Sequence, residues 1–372
     1  MSPASSRSFA IIIGATIILI IYTHAGLSFT PGLSFSPISF GLGTSLDQRR
    51  GADEVLPVPS RTYVISLPHR VDRYEDMERL RTRLGVRWTY VVAEDSRSPL
   101  VARIMSQVRS LRQEELKMKE YAPNSSFKLP FEWPTPDVAV SRASFPESLP
   151  EAPPSSGPAD EPDPELPLTC ATENLTLVPY SSRLPEYKIL SLSRIACWHS
   201  HLSVIQRVST HRPNEVALIL EDDVDMEEDI TERLTAIWSL LPSDWDIIFL
   251  GHCWSNESYH PPLGLSSSSD LSSSVSTRLH PSYAPLCTHA YALSPTGAQR
   301  LLLDLTYPRF AYSRAIDHAL AWVVQSGRLN AFSVVPSVIV QRKIGNSDVG
   351  MGKGSGWRDR LVKGVHVDGG SS

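Results

Sequence analysis

The sequence predicts an α/β domain on a mostly parallel central sheet. From residue 61 onward, short β-branched apolar runs alternate with segments of helical period. The first three segments read β-α-β, which calls for parallel strands joined by a right-handed crossover. Later strand candidates, VALIL at 216–220 and DIIFLG at 246–251, are nearly unbroken apolar runs, as interior strands are.

Residues 62–67 (TYVISL) form the first expected strand. Val71, Tyr74, Met77, Leu80 and Leu84 repeat at helical spacing over 71–84, with Gly85 as the stop. A second strand is expected at 88–93 and a charged helix over 97–121. Residues 141–168 hold eight Pro and six Asp/Glu, too little apolar surface to offset ordering, and read as a disordered insert. Order is expected to return at Tyr187. Ser193 is placed as the cap of a helix through Val208, which carries Ile195, Leu202 and Ile205. After strand 216–220 come a helix over 229–241 closed by Pro242, strand 246–251, a Ser-rich insert at 261–277, strand 288–293, helices 295–305 and 313–326, and strand 331–335.

The chain has 372 residues, a net charge of −5 and no Lys/Arg block, which excludes a nucleic-acid footprint. Residues 9–22 (FAIIIGATIILIIY) are apolar, and weaker apolar sequence runs on to Phe29, about the 20 residues that span a bilayer. Arg7 precedes this run, and no Lys or Arg follows until Arg49, which puts the short tail in the cytoplasm and the rest across the membrane. The division is then a tail at 1–8, a membrane helix at 9–29, a stem at 30–60, the domain at 61–345 and a flexible tail at 346–372. The alternative is a cleaved signal peptide ending at Thr23-His24-Ala25. Both readings deliver the domain to the secretory lumen, as a Golgi or endoplasmic-reticulum protein. Sequons at Asn124, Asn174 and Asn256 fit that compartment, as do Cys170, Cys197, Cys253 and Cys287. Cys253–Cys287 is the favoured pair among three possible pairings, because it would staple the Ser-rich excursion.

The chemistry concentrates in Glu221-Asp222-Asp223-Val224-Asp225, at the carboxyl end of an interior strand, where α/β sheets bind ligands. On an extended backbone Glu221, Asp223 and Asp225 would share a face, with Asp222 opposite. Converging carboxylates repel, and an oxygen-preferring divalent cation relieves them: Mn²⁺, with Mg²⁺ as the alternative. The plainer reading is a solvated turn. An EF-hand fails, since starting from Asp223 its sixth and twelfth positions are Glu228 and Leu234. Cys197, His199 and His201 do not share one helix face, which argues against zinc.

In six pieces the sequence resembles glycosyltransferase family 25, the group of bacterial lipooligosaccharide and animal collagen galactosyltransferases, and its fungal branch most closely. These are YVISLPHRVDR at 63–73, IACWHSH at 195–201, LILEDDV at 218–224, WDIIFLG at 245–251, HAYALSPTGA at 289–298 and AIDH at 315–318, in family order. The resemblance implies a GT-A-like nucleotide-sugar transferase domain, a UDP-sugar donor (most commonly UDP-galactose), inversion at the sugar carbon and a DxD-like metal element in EDDVD. The two inserts depart from the pattern, so the acceptor, a glycan or glycoprotein, does not carry over.

On this reading Asp223, Asp225, Glu221 and His289 are the metal candidates, with His252 a weaker alternative to His289. Arg70, Asp72, Arg73, Asp222 and His201 are the donor-binding candidates, beside Ser200. Asp317 is the candidate general base, ahead of Glu257 and Asp304. The competing reading is a non-catalytic lumenal relative that binds sugar nucleotide or acts as a scaffold.

Overall fold

The computed structural model describes residues 59–121, 166–172, 175–264, 277–342 and 360–366. The expected tail 1–8 and span 9–29, the stem through residue 58, the insert through 165, residues 265–276 of the Ser-rich insert, and the tail at 346–359 and 367–372 lie outside the described residues. Among the described residues no helix is long and apolar enough to cross a membrane.

The elements run β1 (Arg61–Ser66), α1 (Val71–Leu84), β2 (Thr89–Val92), α2 (Pro99–Tyr121), α3 (Leu192–Ser209), β3 (Ala217–Glu221), β4 (Val224–Met226), α4 (Ile230–Trp238), β5 (Ile247–Cys253), β6 (Arg278–Pro281), β7 (Leu286–Leu293), α5 (Pro295–Leu305), α6 (Ile316–Gln325), β8 (Ala331–Val335) and β9 (Ile339–Gln341). Seven strands form one sheet in the order β2-β1-β3-β7-β5-β8-β6. β1, β2, β3, β5 and β8 run one way, and β7 and β6 run against them. The sheet is therefore mixed and mostly parallel, as expected. β4 and β9 make a separate antiparallel pair.

Side chains alternate across each strand, so the apolar runs feed two cores. Tyr63, Ile65, Ala217, Ile219, Phe249 and Tyr291 face α2, α3, α5 and α6. Val64, Leu218, Leu220, Ile248 and Ala292 face α1, α4 and the β4–β9 pair. Trp198 of α3 is fully buried in the first core, 5.6 Å from the Tyr312 ring and 6.0 Å from Phe310. α1 closes at Gly85 in the left-handed conformation (φ 65°), the stop that its glycine predicts. Gly297 lets α5 start against the backbone of Asp246, where any Cβ would collide with the Asp246 carbonyl.

Some boundaries differ from the sequence expectation. Ser191, not Ser193, caps α3: its Oγ accepts from the Arg194 N–H at 3.3 Å, while Ser193 Oγ bonds Ser191 Oγ. α4 stops at Trp238 instead of residue 241. Structure precedes Tyr187, through bridges Thr169–Ile189 and Ala171–Leu177. β4, β6 and β9 were not expected, because three or four residues are too few to show a period.

One topological fact positions the site. From β1 the chain crosses to β2 on one side, then returns through α2 and α3 to β3 on the other. The crevice outside the carboxyl ends of β1 and β3 is thus a switch point, where open α/β sheets place ligands.

Candidate functional site

A cleft of about 330 Å³ opens at that switch point, within the usual size for a small-molecule site. Leu67 and His69 follow β1, Ala93, Glu94, Asp95, Ser96 and Arg97 follow β2, and Glu221 and Asp222 lie at the end of β3. α3 contributes Ser193, Ala196, Cys197, Ser200 and His201, and α1 contributes Arg73.

The carboxylate run does not continue as a strand. β3 ends at Glu221, Asp222 and Asp223 form a turn, and β4 restarts at Val224. The expected alternation of faces is corrected accordingly: Asp222 and Asp223 both meet Arg73, whose Nη1 lies 2.8 Å from Asp222 Oδ1 and 3.1 Å from Asp223 Oδ2. Asp222 also accepts from Ser66 Oγ at 2.7 Å, which ties the turn to the end of β1. Burial works against the Arg73 charge, but Asp223 and Asp222 raise its pKa overall.

Glu221 and Asp223 are driven apart electrostatically. Burial alone would raise Glu221, yet the hydrogen bond and charge of His201, the charge of His289 and the Thr288 hydroxyl hold it at about 2. Thr288 Oγ1 donates at 2.8 Å, and His201 Nε2 lies 3.4 Å away. His201 Nδ1 is 3.0 Å from Tyr291 Oη, so the buried imidazole is held between the two. Asp223 goes the other way. Burial, then the repulsion of Glu221, push it up to about 7 despite Arg73. Its Oδ2 accepts from Gln341 Nε2 at 3.1 Å, but its buried Oδ1 has no hydrogen-bond partner among the described residues.

A divalent cation fits that arrangement. A buried carboxylate oxygen without a donor, facing a second carboxylate, is the defect such an ion corrects. Among the described residues no three His, Cys, Asp or Glu side chains gather as a metal cage. Glu221 and Asp223 are the two carboxylates that would hold such an ion beside a phosphate ligand.

Asp225, expected in the metal set, is buried elsewhere. Its Oδ1 accepts from the backbone N–H of Met226 (2.8 Å) and His366 (3.1 Å), because β4 turns that side chain under the 360–366 segment. Glu227, 1 % exposed, holds the same segment through the N–H groups of Val362 (2.7 Å) and Lys363 (2.8 Å), with Arg233 Nη2 at 3.6 Å. Glu227→Ala strands these donors, and we expect a loss of about 2–3 kcal/mol in urea unfolding.

His289 is buried on β7, with Nε2 donating to the Ile339 carbonyl at 3.2 Å. Gly251 makes room for it, since any Cβ there would strike the His289 ring and that carbonyl. His289 is among the groups that lower the Glu221 pKa. His252 instead meets the Val334 carbonyl at 3.2 Å. Arg70 and Asp72 are engaged with each other in a two-point pair (3.0 and 2.8 Å), which holds Asp72 down at about 2, and neither lines the cleft. Asp317 opens α6, its Oδ1 accepting from the His318 N–H at 2.8 Å and its Oδ2 3.4 Å from the Cys287 nitrogen. Cys197 links the two sides: burial raises its thiol well above the ordinary value, and the charges of Glu221, Asp317 and Asp223 all add to the rise. Glu257 and Asp304 are spent elsewhere, Glu257 on backbone N–H groups and Asp304 on Arg328. His199 bonds Tyr312 Oη at 2.8 Å, away from His201 and its Tyr291 partner.

The sequence reading missed His69 and the 93–97 stretch. Their signal was positional only: they follow the first two parallel strands.

The model of glycosyltransferase family 25, described as an LPS biosynthesis family, matches residues 173–318. The match takes in α3, the carboxylate turn, His289 and Asp317, and leaves β1, α1 and β2 outside. No curated protein matches the chain. The family is one of glycosyl-transferring enzymes, and the match, lying over the turn and α3 that wall the cleft, supports membership of this chain in glycosyltransferase family 25.

Proposed function

We propose that the chain transfers a hexose, galactose first among candidates, from a UDP-sugar to a hydroxyl of a glycan or glycoprotein, with inversion and with Mn²⁺ or Mg²⁺ bound, on a GT-A-like domain in the secretory pathway. The observation that carries this is the switch-point cleft with Glu221 and Asp222 on its wall and the undonated oxygen of Asp223 in the adjoining turn.

The nucleotide enters between the β1 and β2 loops, where His69 and the paired Asp95 and Arg97 line the rim. Ser66 and Arg73 fix the Asp222 carboxylate at the cleft wall, positioned for the donor's ribose or sugar hydroxyls. Glu221, oriented by His201 and Thr288, and Asp223 would hold the cation. When bound, the ion supplies positive charge to the departing diphosphate. The acceptor oxygen bonds to the anomeric carbon as the carbon–phosphate oxygen bond breaks and UDP leaves. Asp317, held by two backbone N–H groups, takes the acceptor's proton.

The test is UDP release by the purified full-length chain across a panel of UDP-sugars, with Mn²⁺, with Mg²⁺ and with chelator. We expect turnover of one UDP-hexose above the rest, lost on chelation. Release that ignores both the sugar and the metal overturns the reading.

A further inference from the structure

The loops that leave β5 and enter β7 form one surface on the Asp317 side of the site. Cys253 ends β5, Cys287 is the second residue of β7, and a disulfide joins them. Glu257 clamps the same loops from beneath. It is 1 % exposed, its Oε2 accepts from the Tyr283 N–H (2.9 Å) and Ser333 Oγ (2.7 Å), and its Oε1 accepts from the Ala284 N–H (2.9 Å). A buried carboxylate used in this way serves to hold backbone in place.

What the clamp presents outward is aromatic. Trp254 is 55 % exposed, Tyr259 63 % and Tyr283 40 %. Tyr259 and Tyr283 come from different loops, and their ring centroids lie 4.6 Å apart. His260 sits against both, at 5.0 and 6.2 Å. Trp254 and Cys287 have left-handed backbones, φ 56° and 68°, a conformation that side-chain-bearing residues keep only when their surroundings impose it. The Cα atoms of Cys253 and Cys287 are 5.7 Å apart. Trp254 is the next residue, so its Cα lies within about 10 Å of the Cys287 Cα, and the Cys287 nitrogen is 3.4 Å from Asp317 Oδ2.

The geometry points to an acceptor subsite: Trp254, with the Tyr259–Tyr283 ring pair on the same two loops, stacks on a pyranose ring of the acceptor glycan and brings its hydroxyl to Asp317. This rests on the glycosyl-transfer reading. A pyranose has an apolar C–H face and a polar rim, and exposed rings tipped with hydroxyl and imidazole groups match both. Neither 254–260 nor 282–287 contains Lys or Arg, which an anionic membrane or polyanion would require. The rival occupant is the chain's own N-glycan on Asn256, whose sequon lies in the same loop. A local sequon does not require a ring from a second loop, and Tyr283 supplies one.

The experiment uses full-length wild type, Trp254→Ala, Trp254→Phe, Tyr283→Ala and Asn256→Gln. It measures UDP release from UDP-sugars alone, then transfer to a panel of methyl hexopyranosides. Trp254→Ala is expected to raise the acceptor KM about tenfold or more, with the effect concentrated in acceptor KM and not in donor KM, and Trp254→Phe to recover part of it. Equal acceptor KM in Trp254→Ala and wild type overturns the subsite while the donor chemistry stands. Absence of UDP release by wild type with every donor overturns the transfer reading, and the subsite with it. A loss reproduced by Asn256→Gln or by enzymatic removal of N-glycans gives the surface to the chain's own glycan and overturns the proposal.

Discussion

Asp223→Ala is expected to cut donor turnover by about a hundredfold or more and to remove the response of the residual rate to Mn²⁺. Asp223 has the one carboxylate oxygen of the turn that is buried and without a donor, beside a Glu221 that stays ionised. Assays of UDP release with and without Mn²⁺ measure the effect, and wild-type turnover in the variant would sink the proposed mechanism. The same site makes a stability prediction of opposite sign. Burial and Glu221 raise the Asp223 carboxyl to about 7 in the folded protein, whereas an unfolded Asp titrates near 3.9. Between those values the folded state holds a proton that the unfolded state has lost, so this group's contribution to stability falls as pH rises from about 4 to about 7. In chelator-treated protein, Asp223→Asn should therefore melt above wild type at pH 7.5, and the gain should vanish toward pH 4. Lower activity with higher stability is the trade expected of a residue kept for chemistry.

Arg73→Met is the second large effect. Arg73 sits between Asp222 and Asp223, and its removal leaves two carboxylates facing each other in a mostly dry turn. Breaking one side of a buried ionic network costs about 3–5 kcal/mol, or about 10 °C in Tm for a domain of this size. Urea unfolding and calorimetry read it directly. Adding Asp222→Asn should return part of the loss, because one of the stranded charges is then gone. If Arg73→Met is neutral, the turn is solvated and the ion pairs are surface ornaments of little energetic weight.

Much of the fold was legible because its signals are local. α1 shows its period and its glycine stop, and β3, β5 and β7 show interior apolar runs. Five of the strands share a direction, as β-α-β order demands. The short strands β4, β6 and β9 were not legible, since their pairing comes from distant partners and not from their own residues. The site was legible where chemistry is dense: four carboxylates in five residues after a strand announce themselves. The direction each one faces was not. Asp222 and Asp223 converge on Arg73 because the chain turns there, and Asp225 is claimed by His366, 141 residues on, which no local pattern reveals. Arg70 and Asp72 looked like ligands for a nucleotide and are instead paired with each other.

The bonds that tie the cleft together have a kinetic consequence. Ser66 reaches Asp222 across 156 residues and Arg73 reaches it across 149. β1 and β3 pair over a comparable separation, with the 122–165 stretch lying between them in the chain. Loop-closure entropy grows only logarithmically with sequence separation, so this distance along the chain costs little at equilibrium. It does delay the encounter, because high-contact-order pairings form late. α1 packed on a nascent β1–β2 edge is a local assembly that can form early, while the cleft waits for β3 to dock on the far side of β1. Ligand competence should therefore be the slowest property to return in refolding, after helical signal has recovered.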